Sequence, residues 1–297
     1  MEPRARAAAI SVLSNVTLVI SKLAIGVTMG SVSVLSEAAH SGTDLLAALI
    51  AYVSVLQASK PADREHQYGH GKIENVSAVA EAVLILVAAG WITWEAVNRL
   101  LHGARLEALG LGIGVMAASS LVNVGVSRYL FGVAHRTDSV ALRADAMHLS
   151  TDVWTSTGVL VGLVLVRLTG WHWLDSVAAL IAAGLMVRAA WELTRESFYP
   201  LLDHRLPEVE EQAIQEIIAR YQAQYVNVHR LRTRRSGAER HVDLHLVVHR
   251  NATLERAHEL CTLIENDIRG AFPRTQVLIH AEPCSPDCAQ CYVTHDA

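Results

Sequence analysis

His40-Ser-Gly-Thr-Asp44 and His148-Leu-Ser-Thr-Asp152 each sit in the middle of a long apolar stretch, and both read His-x-x-x-Asp. On a helix, residues four apart share a face, with Cβ atoms about 5–6 Å apart. Each pair therefore offers an imidazole and a carboxylate to one point in space. Ionisable groups at membrane depth are disfavoured by about 2.5–3.5 kcal/mol each on insertion scales, so their default role is a substrate or ion pathway. Two such pairs supply two nitrogen and two oxygen donors, a set suited to a borderline divalent metal such as zinc.

The rest of the composition agrees with a membrane-spanning chain. Of 297 residues, 52% are hydrophobic and 18% charged, with mean hydropathy +0.28. Charged residues approach about a quarter of an average soluble chain. The apolar excess is confined to residues 1–204, and the remainder reads as a charged soluble domain. A net charge of −4 with pI near 6.4 gives no basic footprint for nucleic acid. The N-terminus, Met1-Glu-Pro-Arg-Ala-Arg6, leads straight into apolar sequence with no small-residue cleavage site, and reads as a first span instead of a removable signal. All four cysteines follow residue 260, which suggests no secreted disulfide framework.

Crossing a hydrocarbon core takes about 20 apolar residues. Six stretches meet that length, near 7–29, 32–57, 76–98, 107–131, 140–167 and 173–195. Gly, Ser and Thr recur inside them, as expected where helices approach closely. Trp91, Trp94, Trp171 and Trp173 fall near span ends, like interfacial anchors. Lys and Arg are richer in the N-terminus (Arg4, Arg6), the second connection (Lys60, Arg64, Lys72) and the fourth (Arg128, Arg136, Arg143). The third and fifth carry Arg99, Arg105 and Arg167, and the first carries none. The bias predicts that both termini are cytoplasmic. Beyond Pro200-Leu-Leu-Asp203 the pattern predicts a helix over 207–222, strands over 226–233 and 240–248, a helix over 253–270 and a strand over 276–279. That αββαβ order implies a small ferredoxin-like α+β domain over 205–283, with helices on one face of a sheet.

Three further groups carry metal-ligand chemistry. Asp63, His66 and His70 lie within eight residues in the second connection, with Glu65 an alternative to Asp63. His229, His245, His258 and His280, with Glu282, are dispersed through the soluble domain, where spacing alone does not bring them together; His241 and His249 have equal claims by composition. A tail over 284–297 holds Cys284, Cys288, Cys291 and His295, whose spacing fits no finger pattern. Glu37 and Glu81 fall within spans and read as interhelical hydrogen-bonding groups, with proton handling the other role open to them.

The segments Gly30–Asp44, Pro61–Asp63 with His66–Lys72, Arg143–His148 with Asp152, Leu201–Asp203 and Leu231–Gly237, in this order, resemble the cation diffusion facilitators over nearly the whole chain up to residue 284. The resemblance implies a six-span homodimer in the inner or plasma membrane, with a cytoplasmic metallochaperone-like domain, exporting divalent metal against protons. By matching position it implies a transport site at His40, Asp44, His148 and Asp152 and a loop site at Asp63, His66 and His70. It also implies a cytoplasmic site, binuclear and at the dimer contact, at His229, His245, His258, His280 and Glu282, and a charge interlock of Lys72 with Asp203. Many bacterial relatives carry Asp where this chain has His40, whereas His-Asp/His-Asp is usual in zinc-selective members. Exchanging a carboxylate for imidazole removes one negative charge and disfavours cadmium and manganese. Glu282 stands where a close bacterial type has Asp, and the Cys-rich tail has no counterpart.

The sequence therefore predicts a Zn2+ exporter, with Fe2+, Mn2+ or Cd2+ as alternative cargo. A membrane-anchored zinc sensor has no use for four ionisable groups inside its anchor. An intramembrane zinc hydrolase would show His-Glu-x-x-His and an open coordination position, and neither is present.

Overall fold

The computed structural model describes residues 2–29, 32–102, 110–171 and 173–286. The chain forms two compact units, Met1–Phe198 and Tyr199–Ala297.

The first unit is helical. Its elements are α1 (Pro3–Met29), α2 (Val32–Ala58), α3 (Lys72–His102), α4 (Gly110–Thr137), α5 (Val140–Thr169) and α6 (Trp173–Leu201). Among the described residues, α1, α2, α3 and α6 are long and apolar enough over a continuous window to cross a membrane. Several helices outrun the apolar stretches that announce them: α3 begins four residues before 76, and α4 and α6 each end six residues after the hydropathy does. Backbone hydrogen bonding continues into polar turns that a hydropathy reading does not see. The packing is inverted relative to a soluble protein. Ala7, Ala8, Ala47, Ala48, Ala51, Ala78, Ala82 and Ala89 are fully buried, while Leu13, Val27, Val87, Leu121 and Trp191 stand outside. Small residues inside let helices approach, and large apolar ones face lipid. At Gly26, an added Cβ would lie 2.8 Å from Leu35 Cδ2 and 3.2 Å from the Leu35 backbone nitrogen, so α1 and α2 meet there at close range.

One end of this bundle is tied by a buried charge cluster. Arg4 Nη1 donates to Glu74 Oε1 at 2.9 Å, and Ser139 Oγ donates to Glu74 Oε2 at 2.7 Å. Glu74 also receives the Ala141 N–H at 3.4 Å, so its carboxylate caps the first turn of α5. Arg4 Nη2 reaches Glu2 at 3.1 Å, and Ser59 Oγ donates to the same carboxylate at 3.0 Å. α1, the end of α2, α3 and the start of α5 converge on this knot, at the end of the bundle that also carries the 59–71 loop.

The second unit contains α7 (Glu208–Ala219), β1 (Asn227–Ser236), β2 (Glu239–Val248), α8 (Leu254–Ala271) and β3 (Thr275–Pro283), the predicted αββαβ order. The sheet runs β1-β2-β3, with β1 and β2 antiparallel and β2 and β3 parallel. β3 is longer than its apolar core because it pairs along all of β2, from Arg240↔Thr275 to Val248↔Pro283. Val242, Leu244, Leu246 and Val277 share one core with Ile214, Ile217, Ile218, Leu260, Ile264 and Ile268 of the two helices. Strand residues alternate faces, so Asp243 and His245 point to the side of the sheet away from that core.

Candidate metal centres

α2 and α5 bring the two intramembrane pairs together, and the ion-pair distances run across the helices. His40 Nε2 lies 3.8 Å from Asp152 Oδ1, and His148 Nε2 lies 3.5 Å from Asp44 Oδ1. Ligand atoms of His40, Asp44 and Asp152 fall within 4.8 Å of one another. Asp44, His148 and Asp152 are buried, and both ring nitrogens of His148, Asp44 Oδ1 and Asp152 Oδ2 make no hydrogen bond. Buried polar atoms without partners are rare in folded proteins and point to a group the fold leaves room for. His40, Asp44 and Asp152 thus bring one nitrogen and two oxygen donors together, with the His148 ring beside Asp44, donor types that suit a zinc-like ion.

The quartet sits in a cavity of about 470 Å³. Lining residues include Leu84, Ala88 and Trp91 of α3, Ser119 and Asn123 of α4, and Thr155 and Ser156 of α5. These lie beyond the quartet toward the ends of α3 and α5, so the cavity extends away from the 59–71 loop and the Arg4–Glu74 knot. Lys22 of α1 also lines it, buried, with Nζ donating to Ser41 Oγ at 2.8 Å. Sequence reading passed over Lys22; a lysine inside an apolar span was the available signal.

The loop group is assembled locally. The Glu65 and His66 amides donate to Asp63 Oδ1 at 2.9 and 2.6 Å, an Asx turn that fixes the carboxylate. The His66 amide is the main reason the Asp63 carboxyl is held below its usual range. His66 Nδ1 and His70 Nε2 each lie 3.4 Å from Asp63. The loop thus gathers Asp63, His66 and His70, while Glu65 contributes its amide to the turn.

In the second unit the sheet register builds a row. His229 pairs with His245 across β1 and β2, and His245 pairs with His280 across β2 and β3. Glu282, two residues beyond His280, shares its face. Glu282 Oε1 lies 2.6 Å from His245 Nδ1 and 3.5 Å from His280 Nε2, and Oε2 lies 3.6 Å from His229. The hydrogen bond with His245 holds the Glu282 carboxyl below its usual range. Arg230, at φ +52°, sits in the bulge that follows His229 and shifts the later register of β1. His258 does not join this row. It is an exposed residue of α8, on the helix side of the sheet, whereas the row occupies the opposite face. His241 is buried, and His249 follows the end of β2.

Lys72 opens α3. Asp203 has φ +54° and lies 3.6 Å from Arg234 Nη1. Cys284 is buried and disulfide-bonded, and its amide donates to the Val248 carbonyl at 2.9 Å. Cys288, Cys291 and His295 lie outside the described residues, as does the side chain of Glu37.

A helical membrane bundle with a cavity-lining His/Asp quartet, joined in sequence to a small α+β domain, defines a membrane metal-ion carrier. Residues 8–202 match the cation efflux transmembrane domain, and residues 206–284 match the cytoplasmic domain of cation efflux proteins. The chain belongs to the cation efflux, or cation diffusion facilitator, family. It is 40% identical over 257 residues to the uncharacterized transporter sll1263 of Synechocystis sp., covering 86% of this chain and 82% of that one. It is 34% identical over 283 residues to the cation-efflux pump FieF of Cronobacter sakazakii, covering 94% and 93%. The solved structure of CzrB in its zinc form is 38% identical and covers 27% of this chain and 90% of that one, with a TM-score of 0.26. The protein is thus a membrane transporter of cations and not an enzyme.

Proposed function

We propose that the chain exports Zn2+ from the cytoplasm in exchange for protons, using His40, Asp44, His148 and Asp152 as the transport site. The observation that carries this reading is the crossed quartet, with its orphaned nitrogen and oxygen atoms, at the end of a membrane cavity. Zinc binds deprotonated carboxylates and neutral imidazoles, so loading releases protons, and protons arriving from the far side displace the metal. Both termini are cytoplasmic, which places the 59–71 loop and the Arg4–Glu74 knot inside and the cavity toward the exterior. Two imidazoles favour zinc over manganese and other harder ions.

The functional unit is a homodimer, with the transmembrane bundle over 1–204 and the cytoplasmic domain over 205–283. The His229–His245–His280–Glu282 row, with His258, takes zinc as a binuclear site at the contact between the two copies. Asp63, His66 and His70 form an accessory site, and Lys72 with Asp203 couples the bundle to the domain. The test is zinc flux in proteoliposomes under an imposed proton gradient, with Cd2+, Mn2+ and Fe2+ in parallel. Zinc uptake that follows the gradient and disappears in Asp44→Ala or Asp152→Ala is expected. Wild-type flux in either variant would overturn the quartet's role, and faster Fe2+ or Mn2+ flux would overturn the cargo.

A further inference from the structure

Lys22 of α1 lines the cavity that holds the quartet, and its ammonium donates to the Ser41 hydroxyl of α2 at 2.8 Å. Both residues are buried. Their level in the bundle follows from helix geometry. Lys22 stands 18 residues after Arg4, and Ser41 stands 18 residues before Ser59, whose hydroxyl accepts from Arg4 Nη2 at 3.4 Å. That separation is about five helical turns, or 27 Å. The Lys22–Ser41 contact therefore repeats, on the same two helix faces, the Arg4–Ser59 contact at the knot. One turn beyond Lys22, Gly26 meets Leu35 at close range. The three contacts together hold the register of α1 on α2.

Ser41 lies between His40 and Asp44 in α2, and Asp44, three residues on, is its neighbour on the helix surface. The ammonium is thus held beside the turn that carries two of the metal donors. Among the described residues that line the cavity, Lys22 is the one lysine or arginine, and Asp44 and Asp152 are the carboxylates. An ammonium withdrawn from water is costly unless other charges offset it. With the quartet empty, the two carboxylates outweigh the single ammonium and stabilise it. With a dication bound, the metal neutralises them, and Lys22 becomes an excess positive charge in a space screened less than water. The resident charge therefore raises the energy of the loaded site relative to the empty one.

We propose that Lys22, positioned by Ser41, is the release group of the carrier: a resident cation that competes with the divalent metal and drives it off the quartet into the cavity. The inference rests on the quartet being the transport site. Two imidazoles and two carboxylates are a donor set that binds zinc tightly. A carrier must also let its cargo go, and a fixed positive charge beside the donors weakens holding without altering the donors themselves. Lys22 touches no reacting group in this role; it sets how long the metal stays.

The test uses the full-length protein in proteoliposomes, with zinc presented on the side of the 59–71 loop. In Lys22→Met, and in Lys22→Gln, which keeps a donor for Ser41, the half-saturating zinc concentration and the maximal rate should fall together. Each should drop on the order of tenfold, the effect of one charge on a dication across a partly screened gap. Unchanged values in both variants overturn the release role, and so does tighter half-saturation at full maximal rate, because release then does not set the rate. A raised half-saturating concentration, or a loss of rate at unchanged half-saturation, marks Lys22 as a support of the helix pair and also overturns it. An effect in Lys22→Met alone assigns the role to the hydrogen bond and refutes the charge. Should Lys22→Met not fold, Lys22→Gln carries the same comparison. Asp44→Ala is run in parallel: if it transports, the quartet reading falls and the release role with it. If it is inactive while both Lys22 variants match wild type, only the release role falls.

Discussion

Arg4→Met and Glu74→Gln remove the two halves of one buried ion pair, and the structure predicts unequal penalties. Their side chains are 9% and 1% exposed, so solvent screens the pair little. Removing Arg4 leaves the Glu74 carboxylate buried with the Ser139 hydroxyl at 2.7 Å and the Ala141 amide at 3.4 Å. An uncompensated buried charge of this kind destabilises by about 3–5 kcal/mol. Removing the charge of Glu74 is milder. The amide still accepts from Ser139, and Arg4 keeps Glu2 at 3.1 Å, on a side chain that is 52% exposed. The loss is then one hydrogen bond between charged groups, about 1.5–3 kcal/mol. The double variant should cost less than the sum of the two, with a coupling energy of about 0.5–3 kcal/mol. Reversible unfolding of the full chain in mixed detergent micelles, followed by tryptophan fluorescence, measures all three. Additive penalties, or Glu74→Gln costing as much as Arg4→Met, would refute the account of Glu74 as a desolvated carboxylate that depends on Arg4. Because Glu74 caps α5, which carries His148 and Asp152, Arg4→Met should also weaken zinc binding at the quartet.

Lys22→Met removes a buried cation from the cavity that holds Asp44 and Asp152; zinc affinity of the quartet should rise on the order of tenfold, from the lost repulsion alone. Competition with a zinc-sensitive dye reads this, and weaker binding would show that Lys22 supports the site. His66→Ala with His70→Ala should lower bound zinc by one ion per chain, counted by atomic absorption on purified protein; an unchanged count removes the loop from the metal sites. The Glu282 carboxyl is held below its usual range by His245, so its contribution to stability is present above the ordinary carboxylate value and lost as pH falls through the lowered one. In chelator, Glu282→Gln should therefore shift the melting temperature of the second unit least in acid and most near neutrality; a shift that grows toward acid would refute the pairing.

Local spacing determined much of this protein. His-x-x-x-Asp fixes two ligands to one helix face, Asp63, His66 and His70 close within a single loop, and the αββαβ order follows from apolar periodicities of the last hundred residues. These features are carried by neighbours in the chain, so the regular geometry of a helix, turn or strand places them. The tertiary structure alone decided which groups face one another. That His40 meets Asp152 and His148 meets Asp44 depends on the rotation of α2 against α5, which small residues set at a distance. The strand register puts His229, His245 and His280 in one row and leaves His258 on the other side of the sheet. Glu74 and Lys22 went unread in the sequence, because the groups they meet lie far along the chain: Arg4 and Ser139 for Glu74, and Ser41 for Lys22. Contacts of that kind arise from helix packing and strand pairing, which no local period encodes.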